Sequence, residues 1–278
     1  VAAIGRVLDR PEHAGVKART ALISYERDDT ITAEFCARSD GRVVWGGDAT
    51  VAALRAMPMP PHAVELCFPD RWSLALFSQR YFSALDDEAR RTLAHRFYND
   101  TYQMDQNACS SPQLVLWLAD GGDPDCRRQW WEAVAAEAEE RYPFGPFQTA
   151  RKLERLCTAA MTMEAPAAAG VERYGGNLLY VVNLAGLTAP LPELKGGFGL
   201  FFQGELSSLK ELPPLTAPKV QTLVCAGVEP REVAALLAGH GAQGVDRVVA
   251  PGQALELDTI WDGKDVIAAL SRMIGGEV

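Results

Sequence analysis

The stretch Arg42-Val-Val-Trp-Gly-Gly-Asp48 decides the fold that we predict for this chain. Its β-branched and aromatic first half is typical of a short buried strand, and Gly46-Gly47 signals a tight turn. A helix is predicted from Asp48 to Ala56, and the prolines that begin at Pro58 end it. The stretch therefore predicts a strand, a turn and a helix in direct succession.

The same alternation of strand and helix continues on both sides of this unit. Strands that alternate with helices pair in parallel, so we predict an α/β fold with parallel, doubly wound sheets. One of these sheets is expected around Val43, Val64 and Leu74. The predicted strands are 21–25, 42–45, 63–68, 73–78, 113–119, 177–184, 199–203, 220–226 and 246–250. The predicted helices are 31–38, 48–56, 86–98, 125–141, 149–163, 207–212, 230–239 and 263–274, and 165–170 is predicted to be a linker.

The composition excludes several classes of function. The chain has 278 residues, of which 48% are hydrophobic and 23% are charged, which is enough for a large core. A net charge of −9 without a basic stripe argues against nucleic-acid binding. No apolar run reaches the roughly 18–20 residues that a membrane span needs. The six cysteines lack metal-ligand spacing, so we expect no metal site, and reduced thiols in the cytoplasm.

One cysteine has a setting that favours chemistry. The stretch Asp105-Gln-Asn-Ala-Cys-Ser-Ser-Pro-Gln113 places Cys109 in a polar loop of small residues, between a predicted helix and a predicted buried strand. A thiol in such a loop is accessible while the flanking elements hold it still. We therefore predict Cys109 as a nucleophile. The alternative is that Cys109 is a small buried hydrophobe, as most free cysteines are.

A resemblance to a known family rests on ordered blocks at Arg42–Asp48, Pro58–Pro61, Glu65–Ser73, Asp105–Gln113 and Val245–Gly263. These blocks are similar to the LuxC-type acyl-CoA reductases, which form a distant branch of the aldehyde dehydrogenase superfamily. The resemblance implies an aldehyde-dehydrogenase-like fold. It implies the end of a dinucleotide-binding domain at 1–72, a catalytic domain at 73–244 and a C-terminal segment at 245–278 that packs back on the core. Members of that family are longer before Val1, so we expect the cofactor domain to be incomplete here.

The resemblance also implies a cofactor site for NADPH at the first strand-to-helix turn. In aldehyde dehydrogenases the equivalent turn touches the cofactor pyrophosphate, which makes Gly46 and Gly47 cofactor neighbours. The same resemblance adds Trp45, Thr50 and Leu66. A helix N-terminus suits a phosphate, although Gly-Gly alone is more often only a tight turn.

Two further residues are catalytic candidates. The resemblance implies that Glu65 is the general base, as a buried carboxylate with a raised pKa; the alternative is a structurally paired glutamate. The Gly-Gly that follows this Glu-Leu pair in aldehyde dehydrogenases is replaced by Cys67-Phe68, which puts the nicotinamide contact in doubt. Asn107, two residues before Cys109, is either catalytic or a residue that shapes the turn.

The function that the resemblance implies is an NADPH-dependent reduction of a fatty acyl thioester to a fatty aldehyde through an acyl-enzyme at Cys109. The substrate is expected to be an acyl-CoA or an acyl-protein. One alternative is a transferase or hydrolase that uses the same cysteine without redox chemistry. The other is a catalytically incomplete chain that binds an acyl-protein synthetase-like partner. A homo-oligomer is compatible with the sequence, which leaves the oligomeric state open.

Overall fold

Two separate sheets organise the chain in the computed structural model, which describes residues 2–162 and 168–275. A third element is a small antiparallel hairpin near the C-terminus. The strands are β1 (Gly41–Trp45), β2 (Val64–Phe68), β3 (Trp72–Ser78), β4 (Pro112–Leu118), β5 (Ala168–Tyr174), β6 (Leu179–Leu184), β7 (Leu200–Leu206), β8 (Val220–Ala226), β9 (Arg247–Val249), β10 (Ile260–Trp261) and β11 (Lys264–Asp265).

The helices alternate with these strands over most of the chain. They are α1 (Ala2–Leu8), α2 (Ala14–Lys17), α3 (Asp29–Arg38), α4 (Asp48–Arg55), α5 (Gln79–Ser83), α6 (Asp87–Thr101), α7 (Cys126–Arg141), α8 (Pro146–Thr162), α9 (Leu212–Leu215), α10 (Pro230–Gly239) and α11 (Val266–Ala269). Aspartates cap two of these helices: the carboxylate of Asp28 accepts from the first turn of α3, and that of Asp86 accepts from α6. No helix in residues 2–162 or 168–275 is long and apolar enough to cross a membrane.

The larger sheet has seven strands in the order β5-β6-β7-β4-β3-β8-β9. All neighbours in this sheet are parallel except β5 and β6, which are antiparallel. Every residue of β3 and β4 is buried, because helices cover both faces of the sheet. Ala75 and Phe77 face the cluster that contains α6 and α7, whereas Leu74 and Leu76 face the cluster that contains α9 and α10. The α/β class is therefore confirmed, with one antiparallel pair that the pattern did not predict.

The smaller sheet is the parallel pair of β1 and β2. Val44 and Cys67 on one face pack against α4 at Val51. On the other face, Leu66 and Phe68 pack against Trp261 and α11. The C-terminal segment thus returns to the smaller sheet, while its strand β9 forms an edge of the larger one.

The prediction of one sheet around Val43, Val64 and Leu74 is wrong. Leu74 lies in β3, which pairs with β4 and β8 in the larger sheet and not with β2. The reason is physical: β3 is apolar at almost every position and needs cover on both faces, which a two-stranded sheet cannot supply. A short turn at 69–71 carries the chain from one sheet to the other.

Other local predictions also differ from the structure. Residues 21–25 form no strand, because no neighbouring strand lies beside them and Leu22 and Ile23 are exposed. The predicted helix at 263–274 shortens to α11, and that at 207–212 becomes a 3-10 turn followed by α9. The predicted linker is partly wrong, since β5 begins at Ala168, and 165–167 lie outside the described residues.

Asp100 ties the end of α6 to a distant loop. Its side chain is fully buried and accepts hydrogen bonds from the backbone N–H groups of Gly252 (2.6 Å) and Ala254 (2.8 Å). Its own carbonyl accepts from the hydroxyl of Ser111 at 2.7 Å. Burial raises the pKa of Asp100 to about 6, although the two N–H donors act in the opposite direction.

This raised pKa predicts a pH-dependent stability. Between about pH 4 and 6 the folded chain binds more protons at Asp100 than the unfolded chain, so this residue's contribution to stability falls as the pH rises through that window. The slope reaches at most about 1.4 kcal/mol per pH unit. Asp100→Asn removes the ionisation. We therefore expect the free energy of unfolding of Asp100→Asn, measured with urea relative to that of the wild type, to increase from pH 4 to 6.

Glu88→Gln is the matched control, because Glu88 lies on the same helix with an exposed side chain that makes no ion pair among the described residues. Its difference from the wild type should stay flat over the same pH range. An Asp100→Asn difference that is equally flat would contradict the raised pKa.

Candidate active site

Cys109 lies in the loop between α6 and β4. It precedes Pro112, the residue at which β4 begins to pair with β3. Its side chain is partly exposed, whereas Cys36, Cys67, Cys126 and Cys225 are buried. Cys157, on the outside of α8, is also exposed. The structure therefore does not support the alternative that Cys109 is a buried hydrophobe.

The backbone of Cys109 is anchored to two central strands. The hydroxyl of Ser73, on β3, donates to the Cys109 carbonyl at 2.6 Å. The same hydroxyl accepts from the backbone N–H of Thr222, on β8, at 3.0 Å. Ser73 and Thr222 are both fully buried, so this bridge is shielded from water. The position of the thiol is thus set by the core of the sheet.

Two residues that open the loop have left-handed backbone conformations. Asp105 has φ of 52° and Gln106 has φ of 57°, which are unusual for residues other than glycine. The hydroxyl of Tyr142 donates to the Asp105 carboxylate at 2.5 Å, and the Asp105 carbonyl accepts from the N–H of Phe198 at 2.9 Å. These contacts hold a conformation that the isolated chain would avoid.

The side chain of Gln106 makes three hydrogen bonds to the backbone. Only 1% of this residue is exposed. Its amide oxygen accepts from the N–H groups of Gly197 and Gly199, each at 3.2 Å, and its amide nitrogen donates to the Pro112 carbonyl at 3.0 Å. One side chain thus joins both ends of the Cys109 loop to the segment that precedes β7.

Asn107 shapes the turn in this structure. Its amide nitrogen donates to the Asp105 carbonyl at 3.0 Å, and its amide oxygen accepts from the Arg155 guanidinium at 2.7 Å. Both ends of the amide are engaged within the protein. This arrangement favours the turn-shaping alternative, and a catalytic role for Asn107 stays a prediction.

The N–H group of Cys109 is available for a ligand. Within the described ranges, the backbone N–H of Cys109 donates to no protein acceptor, whereas the N–H groups of Asn107 and Ser111 do. A free N–H beside a nucleophilic sulfur can stabilise the oxyanion that forms during acyl transfer. The loop therefore contains a partly exposed thiol and, at the same residue, a backbone N–H group without a protein acceptor among the described residues.

Glu65 is engaged by two arginines. The register of the smaller sheet puts Arg42 directly opposite Glu65, and the Arg42 guanidinium donates to this carboxylate. Arg55, at the end of α4, donates to the other carboxylate oxygen at 2.7 Å. Burial of Glu65 opposes ionisation, but the hydrogen bonds from Arg55 and Arg42 outweigh it and lower the pKa. The expectation of a raised pKa is wrong, and the structure favours the paired alternative.

The predicted cofactor residues lie together only in part. Gly46 and Gly47 connect β1 to α4 as predicted, and an added Cβ at Gly47 would meet no atom within 4 Å. Thr50 is exposed and packs against Gly46. Trp45 is 61% exposed and stacks on Phe68 with 4.1 Å between ring centroids. Leu66, in contrast, is buried against the C-terminal segment, where a bound cofactor could not contact its side chain.

Two ion pairs and a hydrogen bond connect the predicted cofactor turn to segments that flank the larger sheet. Asp48, the first residue of α4, pairs with Lys219 at 2.8 Å and accepts from the backbone N–H of Asp70 at 3.3 Å. Asp70 pairs with Lys195 at 2.7 Å. Since Asp70 precedes Ser73 by three residues, the segment that contacts the turn also anchors Cys109.

A groove of about 930 Å³ includes Arg155 in its lining, the residue whose guanidinium contacts Asn107 in the Cys109 loop. One wall is α8, and the other is the segment that leads into β7. Leu191, Leu194 and Phe202 form an apolar floor, while Arg155 and Lys195 add positive charge. In the described part of the chain, no group of three or more His, Cys, Asp or Glu side chains is placed to hold a metal ion.

Sequence reasoning missed three residues that build this site. Ser73 begins a predicted strand and Gln106 lies in a polar loop, and neither position reveals from the sequence that its side chain is buried and hydrogen-bonded to a distant segment. Arg155 lies on α8, where arginine is ordinary on a helix surface. Only the tertiary structure brings these side chains to the Cys109 loop.

The contacts of Gln106 predict a large loss of stability on substitution. Gln106→Leu would remove three buried hydrogen bonds, and the N–H group of Gly199 would lose its partner, whereas that of Gly197 also donates to the Leu200 carbonyl; we therefore expect the free energy of unfolding to fall by about 3 kcal/mol. Gln103→Ala is the control, since the Gln103 side chain is exposed and, within the described part of the chain, bonds to the Asn99 side chain alone. It should change stability by less than about 0.5 kcal/mol. Equal urea midpoints for the two variants would contradict the assigned role.

Solved structures similar to this one are aldehyde dehydrogenases. Aldehyde dehydrogenase 21 from Physcomitrella patens, in complex with succinate, has a TM-score of 0.54 at 12% identity, over 85% of this chain and 50% of that chain. Gamma-glutamyl-gamma-aminobutyraldehyde dehydrogenase from Burkholderia cenocepacia has a TM-score of 0.52 at 13% identity, over 82% and 48%. At such identities the likeness shows the fold alone, and the chain spans about half the length of these proteins.

No curated protein sequence matches the chain significantly. A family model described as acyl-CoA reductase (LuxC) matches residues 5–162, which is more than half of the chain and includes both the Gly46-Gly47 turn and Cys109. The sequence match and the aldehyde-dehydrogenase-like fold agree with each other. The chain belongs to the LuxC family of acyl-CoA reductases.

Proposed function

We propose that this protein reduces a fatty acyl thioester to a fatty aldehyde, with NADPH as the reductant and Cys109 as the site of an acyl-enzyme. The observation that carries the proposal is the geometry of the Cys109 loop: a partly exposed thiol on a backbone anchored to β3 and β8. A thiolate is both a good nucleophile and a good leaving group near neutral pH, which a two-step acyl transfer requires. Family membership supports the same activity.

The first step is acylation of Cys109. The Cys109 thiolate attacks the thioester carbon, a new C–S bond forms, and the bond to the sulfur of coenzyme A breaks. Coenzyme A leaves as a thiolate, so charge balances without a proton from the protein. The Cys109 N–H donates to the oxyanion of the tetrahedral intermediate. The bridge from Ser73 to the Cys109 carbonyl holds this peptide in place during attack.

The start of α4 fits the pyrophosphate of a dinucleotide. Gly47 caps this helix without a side-chain hydrogen bond, so the first N–H groups of α4 have no side-chain partner. Lys219 neutralises Asp48, the carboxylate that would otherwise repel phosphate. Gly46, Gly47 and Thr50 are the residues that we propose to contact the cofactor. When bound, the nicotinamide supplies the hydride that reduces the acyl group on Cys109.

Release of the product again uses Cys109. After hydride addition, the former carbonyl carbon is bound to the Cys109 sulfur and to an alkoxide oxygen, which is the anionic form of a thiohemiacetal. The C–S bond breaks as the C=O bond forms again, which releases the aldehyde and restores the thiolate. We propose an acyl-CoA or acyl-protein substrate, an acyl-protein synthetase-like partner as the source of the latter, and a cytoplasmic location that keeps the thiol reduced.

Substitution of Cys109 tests the proposal directly. Cys109→Ala should abolish incorporation of a radiolabelled fatty acyl group from acyl-CoA, and peptide mapping should place the label of the wild type on Cys109. Cys109→Ser should leave only weak acylation, because an alkoxide is far less accessible than a thiolate. Cys157→Ser, which removes the other exposed thiol, should be acylated like the wild type.

The products separate the proposal from its non-redox alternative. Aldehyde formation with consumption of one NADPH per acyl group supports a reductase. Free fatty acid without NADPH consumption would instead establish a hydrolase. Label on Cys67 or Cys157 in the wild type would contradict the assignment of Cys109.

A further inference from the structure

Arg155 joins three elements around the Cys109 loop. It projects from α8, and one guanidinium nitrogen donates to the Asn107 amide oxygen at 2.7 Å. The other terminal nitrogen donates to the carbonyl of Gly196, in the segment that precedes β7. The planar guanidinium can reach acceptors on two different segments at once, which an ammonium group cannot do with the same rigidity. Arg155 therefore fixes the distance between these two segments.

The surroundings of Arg155 are shaped to receive it. An added Cβ at Gly197 would overlap the guanidinium, so a side chain at this position would displace it. The guanidinium also lies over the ring of Phe198, with 4.9 Å to the ring centroid. Three consecutive residues, 196 to 198, thus contribute a carbonyl, an open space and an aromatic face. Together they form a pocket that fits the Arg155 side chain.

The charge of Arg155 is not used for an ion pair. Among the described residues, no carboxylate lies within salt-bridge distance of its guanidinium, whereas Arg151, one turn earlier on α8, pairs with Glu154. Both acceptors of Arg155 are neutral oxygens, and the side chain is partly buried at the edge of the groove. A partly buried cation with only neutral acceptors adds little to stability through charge pairing. Its contribution is geometric.

The geometric effect reaches Cys109 through Asn107. With its oxygen held by Arg155, the Asn107 amide presents its nitrogen to the Asp105 carbonyl, which closes the turn that opens the loop. Release of the oxygen would let this exposed amide rotate and would loosen the turn two residues before the thiol. We propose that Arg155 is a positioning residue for the reaction at Cys109, which acts by orienting the Asn107 amide. This inference rests on the proposed acylation of Cys109.

The test compares two arginines on the same helix. Arg155→Ala and Arg151→Ala both remove a guanidinium that lines the groove, but only Arg155 contacts the Cys109 loop. We expect Arg155→Ala to slow acylation of Cys109 by a fatty acyl-CoA by about 10- to 100-fold, because small misplacements of a nucleophile are costly. The acyl-CoA concentration that gives the half-maximal rate should change by less than about twofold, because the substitution alters the placement of the thiol and not the binding of acyl-CoA. Arg151→Ala should react at the wild-type rate.

Chemical rescue separates positioning from a general loss of structure. Ethylguanidinium added to Arg155→Ala should restore part of the acylation rate, and it should leave the rate of Arg151→Ala unchanged. Arg155→Lys keeps the charge but not the fork, so we expect an intermediate rate, and it provides a second variant if Arg155→Ala folds poorly. A wild-type rate in folded Arg155→Ala or Arg155→Lys would overturn the inference, as would an equal loss in Arg151→Ala.

A measurement without substrate distinguishes failure of this inference from failure of the proposed function. Hydrogen exchange of the amides at 105–111 should be faster in Arg155→Ala than in the wild type and unchanged in Arg151→Ala. Unchanged exchange at these amides would overturn the positioning role even if acyl-CoA is a substrate. Faster exchange in a protein that no acyl-CoA acylates would keep the link between Arg155 and the loop and reject the proposed function.

Discussion

The left-handed pair Asp105–Gln106 is the constraint on which the candidate site depends. Neither residue is glycine, and each such conformation costs about 1–3 kcal/mol unless the surroundings enforce it. The buried carboxamide of Gln106 enforces it through three backbone hydrogen bonds, and Tyr142 adds a fourth contact at Asp105. Since this pair turns the chain from α6 into β4, its conformation decides where Cys109 lies relative to the sheet. Strain at this point is therefore the means by which the thiol is placed.

The position of Cys109 explains why so many tethers are needed. Ligands of open α/β sheets usually bind beyond the carboxyl ends of the parallel strands, where helix N-termini assist. Cys109 instead lies just before the amino end of β4, beside Ser73 at the beginning of β3. Among the described residues no helix begins there to hold the loop, so individual side chains from β3, from the residue that follows α7 and from α8 do so. The wholly buried strands β3 and β4 give those side chains a rigid base.

Local patterns were enough to predict the strand, turn and helix at 41–55, because β1, Gly46-Gly47 and α4 are specified by neighbours in sequence. They were not enough for β3, whose partners β4 and β8 come from much later in the chain. The same limit explains Glu65: only the register of β1 and β2 reveals that Arg42 lies opposite it. Cys109 could be chosen as a candidate nucleophile from the composition of its loop alone. Gln106 and Arg155 could not, since their partners Gly197 and Gly196 are distant in sequence.

The engagement of Glu65 bears on which reaction the site suits. A hydrolase must activate water against the acyl-enzyme, and a carboxylate with a raised pKa is a common base for that purpose. Here two arginines lower the pKa of Glu65 and occupy its oxygens, so it is a weak base with little freedom to bind water. A reductase needs no such base, because hydride takes the place of water and the thiohemiacetal collapses without a proton from the protein. Water activation at Glu65 would even compete with reduction by releasing the free acid. A glutamate held by Arg42 and Arg55 is therefore poorly suited to be the water-activating base that the non-redox alternative assigned to it.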